Sequence, residues 1–98
     1  MGLDFAIDAL YDTGWKGAEM SPRHHDGRPY PSPDAVKAFF HEHGFELGVR
    51  HIQLFDCYRA EWRDADGQAG GAVVGQSAEE AAVYAMSQLR RQLTTTNS

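Results

Sequence analysis

The period of the hydrophobic pattern changes at Gly44, and this change most constrains how the chain can fold. Apolar residues between Val36 and Phe40 are spaced three and four apart, as on the buried face of a helix. From Phe45 to Val49 every second residue is apolar, which is typical of a half-buried strand. The chain therefore combines helices with strands, and Gly44 separates one helix from the first strand.

The sequence contains capping residues at the predicted N-terminal ends of two helices. Ser32 is a favourable N-cap, Pro33 suits the first helical position, and Asp34 suits the positive end of the helix dipole. Ser77 and Glu80 form an S-x-x-E capping box for the last helix. An apolar stripe continues that helix at Ala78, Ala81, Ala82, Ala85, Met86, Leu89 and Leu93.

A shorter helix is predicted at the N-terminus. Its apolar stripe consists of Leu3, Ile7, Leu10 and Tyr11, and aspartates recur beside it at Asp4, Asp8 and Asp12. Like charges at this spacing destabilise a solvated helix by only about 0.2–0.5 kcal/mol per pair. We therefore expect a solvated acidic face here, in preference to a cation site.

Strand patterns follow Gly44. The apolar parity shifts after Val49, so we expect a turn or bulge near Arg50–His51 and a second strand over about Leu54–Arg63. Asp64–Gly67 is typical of a hairpin turn, and Ala72–Val74 of a third strand. The adjacent pair Gly70 and Gly71 predicts a bulge or a close backbone approach.

The predicted order of elements is α-(long loop)-α-β-β-β-α. It indicates an α+β fold, in which a small three-stranded antiparallel sheet has its helices packed mainly on one face. We expect residues 1–93 to form one domain and the polar residues 94–98 to be a disordered tail.

Composition narrows the classes of protein to which the chain can belong. One cysteine, Cys57, excludes an internal disulfide and predicts a reducing, cytoplasmic setting. The apolar runs are short, so no membrane partner is expected, and Met1–Leu10 lacks the basic cluster of a secretory signal. A net charge of −5 disfavours general affinity for nucleic acid.

The segment Thr13–Pro31 has no apolar periodicity and predicts a long irregular loop with a turn at Asp26-Gly27. Trp15 and Tyr30 near its ends favour a packed loop over a disordered one. Its polar groups form the predicted ligand or partner site: Arg23, His24, His25, Asp26, Arg28 and Tyr30. Arginine and histidine suit a carboxylate or phosphate, and an ordinary solvated loop is the alternative.

Other candidates for chemistry are scattered along the chain. His41 and His43 point about 200° apart on a helix, and no zinc-ligand motif is present, so no metal or cofactor is predicted. His51 and Cys57 lack a motif as well. Asp56 interrupts an apolar run and suits either a pocket acid or, more simply, a bulge that faces solvent.

Over about Ser32–Leu93, the order helix, three strands, helix resembles that of the double-stranded RNA-binding domain. That family contacts the RNA backbone through a basic cluster at the start of its last helix. The matching positions here are Ser77, Ala78, Glu79 and Glu80. Carboxylates at these positions repel phosphate, so the resemblance implies a topology and carries over no RNA-binding residue.

We expect a non-catalytic module that binds another protein or itself, because catalytic motifs are lacking and a short sheet exposes its edges. One alternative is a small metal-dependent or acid–base enzyme that uses the histidines, Cys57 and Asp56. The other is a nucleic-acid binder, which the net charge disfavours.

Overall fold

The computed structural model describes residues 2–15, 23–25 and 27–96. The elements are α1 (Leu3–Asp12), β1 (Arg23–His25), β2 (Arg28–Tyr30), α2 (Pro33–Glu42), β3 (Phe45–Ile52), a 3-10 turn (Gln53–Phe55), β4 (Cys57–Asp64), β5 (Ala69–Gly75) and α3 (Ala78–Thr96). The predicted α+β class and the order of its main elements are confirmed, with a small hairpin, β1–β2, added.

Local capping sets where α2 and α3 begin. The Ser32 hydroxyl accepts a hydrogen bond from the Ala35 N–H at 3.2 Å, and Pro33 follows as the first helical residue. The Ser77 hydroxyl accepts one from the Glu80 N–H at 3.0 Å. Each bond satisfies an amide that the first turn of a helix leaves without a partner, so Ser32 and Ser77 are confirmed as N-caps.

Strands β3, β4 and β5 form one antiparallel sheet in that order. Leu47 lies opposite Trp62, and Val49 lies opposite Ala60, on the face that the helices cover. Helix α3 packs across all three strands, α2 packs beside it over β3, and α1 packs on α3. The helices therefore lie on one face of the sheet, as predicted.

The predicted turn near Arg50–His51 is wrong, because β3 continues to Ile52 and β4 begins only at Cys57. The apparent change of parity comes from two apolar residues, Ile52 and Leu54, that do not belong to the core. Ile52 is only half-buried and Leu54 is 84% exposed, so their apolar character does not reflect the core face.

The last strand is longer than its apolar residues indicate. It runs over Ala69–Gly75 and not only over Ala72–Val74, because Gly70 and Gly71 are part of it. Both expected consequences of that glycine pair are present. The Trp62 ring packs closely on the two glycines, and the β4–β5 register shifts between Trp62 and Arg63.

The predicted irregular loop contains a two-stranded hairpin. Strand β1 pairs with β2, with His24 opposite Pro29, and Gly27 in the turn has a φ of 80°. Trp15 and Tyr30 are both buried, as expected for a packed segment. Residues 16–22 and Asp26 lie outside the described residues.

Helix α3 is longer than its apolar stripe. It reaches Thr96, three residues beyond Leu93, since backbone hydrogen bonding continues into the segment expected to be a tail; residues 97 and 98 lie outside the described part. Its buried face carries Ala81, Ala82 and Ala85, which allow a close approach to the sheet. Neither α3 nor another described helix is both long enough and apolar enough to cross a membrane.

Candidate functional site

Arg28, the central residue of the predicted loop site, lies against α1. Its guanidinium donates a hydrogen bond to the Asp8 carboxylate and lies 3.8 Å from a carboxylate oxygen of Asp4. It also lies over the Tyr11 ring, 5.8 Å from the centroid. The bond with Asp8 raises the pKa of Arg28 above its ordinary value, and the negative charges of Asp8 and Asp4 add to the rise.

His25 joins the same cluster through its Nε2, which lies 2.8 Å from Asp4 Oδ1. The Tyr11 hydroxyl donates to the Pro29 carbonyl at 2.6 Å. Two of the three aspartates of α1 are therefore paired with the hairpin. Asp4 and Asp8 remain about half exposed, as expected for a solvated acidic face, and the sequence pattern did not reveal that cations of the hairpin pair with them.

The other predicted site residues are spread along the hairpin. Tyr30 is buried, and its hydroxyl donates to Glu79 Oε2 on α3 at 2.8 Å. His24 is exposed, and the backbone of Arg23 pairs with Tyr30. Asp26 lies outside the described residues. The structure thus gives Arg28, His25 and Tyr30 partners within the chain, and their role in binding a ligand remains a prediction.

Two of the enzyme candidates meet at the turn between β3 and β4. His51 Nε2 lies 3.1 Å from Asp56 Oδ1, and the His51 ring lies against Tyr58 with centroids 4.8 Å apart. The Asp56 side chain is 94% exposed, as the simpler interpretation of that residue expected. Asp56 is therefore a solvent-facing residue of the turn and not an acid enclosed in a pocket.

The remaining histidines and the cysteine lie apart. His41 and His43 are exposed near the end of α2, and His43 Nδ1 lies 2.9 Å from the Phe39 carbonyl oxygen. Cys57 is partly exposed and lies opposite Ile52 in the sheet. Within residues 2–15, 23–25 and 27–96, no three side chains of His, Cys, Asp or Glu are grouped so that they could hold a metal ion.

The free edge of β3 is the feature that most suits a partner. Within the described chain, β3 pairs only with β4, so its other edge has no strand partner there. Such an edge can pair with a strand of another chain. The uncovered face of the sheet carries Glu46, Gly48 and Arg50 along this strand. Cross-strand charges on β4 lie beside them, with Arg50 Nη2 at 4.0 Å from Glu61 Oε1.

A hollow lies between α2 and the start of β3. It has a volume of about 580 Å³, and its lining consists of Lys37, Ala38, His41, Phe45, Glu46 and Leu47. Ala38, Phe45 and Leu47 supply apolar surface, and the charged residues form its rim. Its lining thus comes from α2 and from the first residues of the edge strand β3.

Sequence reasoning missed the tip of the β3–β4 turn. Leu54 and Phe55 are adjacent there and are 84% and 73% exposed. Adjacent exposed apolar side chains are a common feature of surfaces that bind a partner. The nearby signal was Asp56, which interrupts the apolar run because it closes the turn in the left-handed conformation.

Comparison of the chain with family models, with curated proteins and with solved structures found no match. The resemblance of the element order to the double-stranded RNA-binding domain therefore has no support from a related protein. At the positions of that family's basic cluster, Glu79 accepts the Tyr30 hydroxyl and Glu80 is 7% exposed.

Proposed function

We propose that the protein is a non-catalytic, self-associating module whose copies pair through the free edges of β3. The observation that supports this proposal is the self-complementary pattern of the strand around Gly48. The strand reads Phe-Glu-Leu-Gly-Val-Arg-His-Ile, with one acidic and one basic residue at equal distances from the glycine.

An antiparallel pair centred on Gly48 matches charge with charge on both sides of a two-fold axis. Glu46 then lies opposite the partner's Arg50, and Arg50 lies opposite the partner's Glu46, on the uncovered face. Leu47 lies opposite the partner's Val49 on the face that carries the helices. Residues directly opposite in such a pair have Cβ atoms about 4.5–5.5 Å apart, so each charge pair is within reach.

Neighbouring registers are less favourable. A pair centred on Arg50 places Arg50 opposite Arg50 of the second copy, so two like charges meet. A pair centred on Val49 places Glu46 opposite Ile52, so the carboxylate has no cation opposite it. The β5 edge, Ala69–Gly75, contains no charged residue with which to select a register. A six-stranded sheet joined at β3, with the helices of both copies on one face, is therefore the arrangement that charge favours.

The strongest test uses charge reversal in two separate chains. Glu46→Arg and Arg50→Glu each convert two attractive pairs into two repulsive ones, and we expect each variant alone to associate roughly tenfold or more weakly than wild type. Mixed together, the two variants restore both attractive pairs. Sedimentation equilibrium of each chain and native mass spectrometry of the mixture are expected to show a heterodimer in preference to either homodimer.

Gly48→Lys supplies a test that spares the fold. In the described part of the chain, no atom lies within 4 Å of a Cβ placed on Gly48, and Glu61 lies opposite it on β4. The lysine is therefore accommodated within one copy, but two lysines meet at the dimer axis. We expect unchanged unfolding of the monomer and loss of the dimer, while Gly48→Ala retains it.

Three results would overturn the proposal. The first is a wild-type chain that stays monomeric at about millimolar concentration. The second is a dimer that neither charge reversal weakens, which would place the interface on another face such as the β5 edge. The third is a dimer that a chelator dissociates, which would favour the metal-dependent alternative.

In this proposal the module acts in the cytoplasm, where Cys57 stays reduced.

A further inference from the structure

Strand pairing alone leaves the exposed tip formed by Leu54 and Phe55 unexplained. We infer that in the β3-paired dimer the tip of each copy docks into the hollow between α2 and β3 of the other copy. The inference rests on the proposed function, because the register of that dimer brings the two features together. The occupant of the hollow is accordingly a second copy of this chain.

The placement follows from counting along the strand. In a pair centred on Gly48, Ile52 lies opposite the partner's Gly44, the residue that precedes its β3. Because β3 ends at Ile52 and α2 ends at Glu42, the turn Gln53–Phe55 follows close to the partner's α2–β3 turn. The partner's His41 belongs to the lining of its hollow, so the tip reaches the end of the hollow nearest the α2–β3 turn.

The chemistry of the two surfaces agrees. The tip offers two large apolar side chains, and the hollow offers apolar surface from Ala38, Phe45 and Leu47. Burial of such side chains is favourable in proportion to the apolar area removed from water. Two-fold symmetry provides this contact twice, which extends an interface that strand pairing alone would leave small and mostly polar.

Two contacts close the turn that carries the tip. The Asp56 N–H donates to the Gln53 carbonyl at 3.2 Å and closes the turn. His51 contacts the Asp56 carboxylate from the adjoining strand. An ordered tip loses little conformational freedom on docking, and this favours tight association.

Removal of the apolar tip gives the first test. In Leu54→Ser/Phe55→Ser we expect association at least roughly tenfold weaker, since four large side chains per dimer leave the interface. Unfolding of the monomer should be unchanged, because both side chains are exposed. The matched control is Val74→Ser, which removes an exposed apolar side chain, 53% accessible, from the distant β5 edge and should leave association unchanged.

Disulfide trapping tests the position directly. In a Cys57→Ser background, one chain carries Phe55→Cys and the other His41→Cys, and mild oxidation of the mixture should link them. A chain with Val74→Cys should not link to His41→Cys. The charge-reversal variants could behave as proposed while Phe55→Cys forms no disulfide with His41→Cys and Leu54→Ser/Phe55→Ser associates like wild type. That combination of results would overturn the inference about the tip and leave the proposed β3 pairing in place. A monomeric wild type would overturn both proposals.

Discussion

The indole of Trp62 lies directly on the backbone of Gly71 across the β4–β5 pair. A Cβ placed on Gly71 would lie 2.5 Å from Trp62 Cζ2, and one placed on Gly70 would lie 2.6 Å from Trp62 Cδ1. Trp62 is almost completely buried, and its ring also contacts Phe40 with centroids 5.1 Å apart. The glycine pair thus makes room for the largest side chain of the core.

Gly71→Ala should therefore destabilise the fold. The indole cannot move away without displacing Phe40, so we expect a loss of about 1–3 kcal/mol in the free energy of unfolding, as for other overpacked cores. Urea denaturation followed by tryptophan fluorescence measures this. Gly48→Ala is the matched control, because it makes the same change in the same sheet where no described atom lies within 4 Å. Equal stabilities of the two variants would contradict the prediction.

The Tyr30 hydroxyl ties the β1–β2 hairpin to α3. Tyr30→Phe removes its hydrogen bond with Glu79 and should lower the free energy of unfolding by about 0.5–1.5 kcal/mol. The effect should be local as well. Hydrogen exchange should quicken at the hairpin amides and stay unchanged in β3–β5. Glu79→Ala combined with Tyr30→Phe should cost less than the two single changes added together, since each single change already removes the same interaction.

These hairpin contacts show where sequence reasoning reaches its limit. The caps at Ser32 and Ser77 were predictable because each depends on residues three positions apart. The pairing of Arg28 with Asp8 was not, because it joins residues twenty positions apart. The strands β1 and β2 also carry no apolar alternation, so the usual signal of a strand is absent from Arg23–Tyr30.

The candidate site was hidden for a related reason. A half-buried strand pattern predicted β3, but a sequence does not state which strand of a sheet is at its edge. The apolar character of Leu54 predicts burial, whereas the structure exposes it. An apolar pattern in the sequence does not distinguish residues of the core from apolar residues that face solvent and suit a partner.

Tyr84 should make stability depend on pH in the alkaline range. Burial raises the pKa of its hydroxyl above the ordinary value, and the negative charge of Glu80 adds to the rise. The folded state thus holds the proton more tightly than the unfolded state. Stability should be fully present below the unfolded pKa of about 10 and fall as pH rises from there toward the folded pKa.

Tyr84→Phe isolates this contribution. The variant should lose less stability than wild type between about pH 9 and about pH 11, as measured by urea denaturation. Tyrosinate absorbance of the folded wild type should show one late-titrating group that the variant lacks. An equally steep decline in both chains would contradict the assignment to Tyr84.

Asp56 combines backbone strain with the placement of the tip. It has a φ of 48° and is the one residue other than glycine with a positive φ in the described part of the chain. Aspartate tolerates this conformation, whereas a β-branched residue does not, so Asp56→Val should lower the free energy of unfolding by about 1–2 kcal/mol. Asp56→Asn should change it little. If the tip docks as inferred, Asp56→Val should also weaken dimer formation under conditions where the monomer remains folded. Asp56→Asn should leave dimer formation unchanged. Sedimentation equilibrium of the three chains at matched concentrations measures this, and equal dissociation constants would show that the tip does not need its left-handed closure.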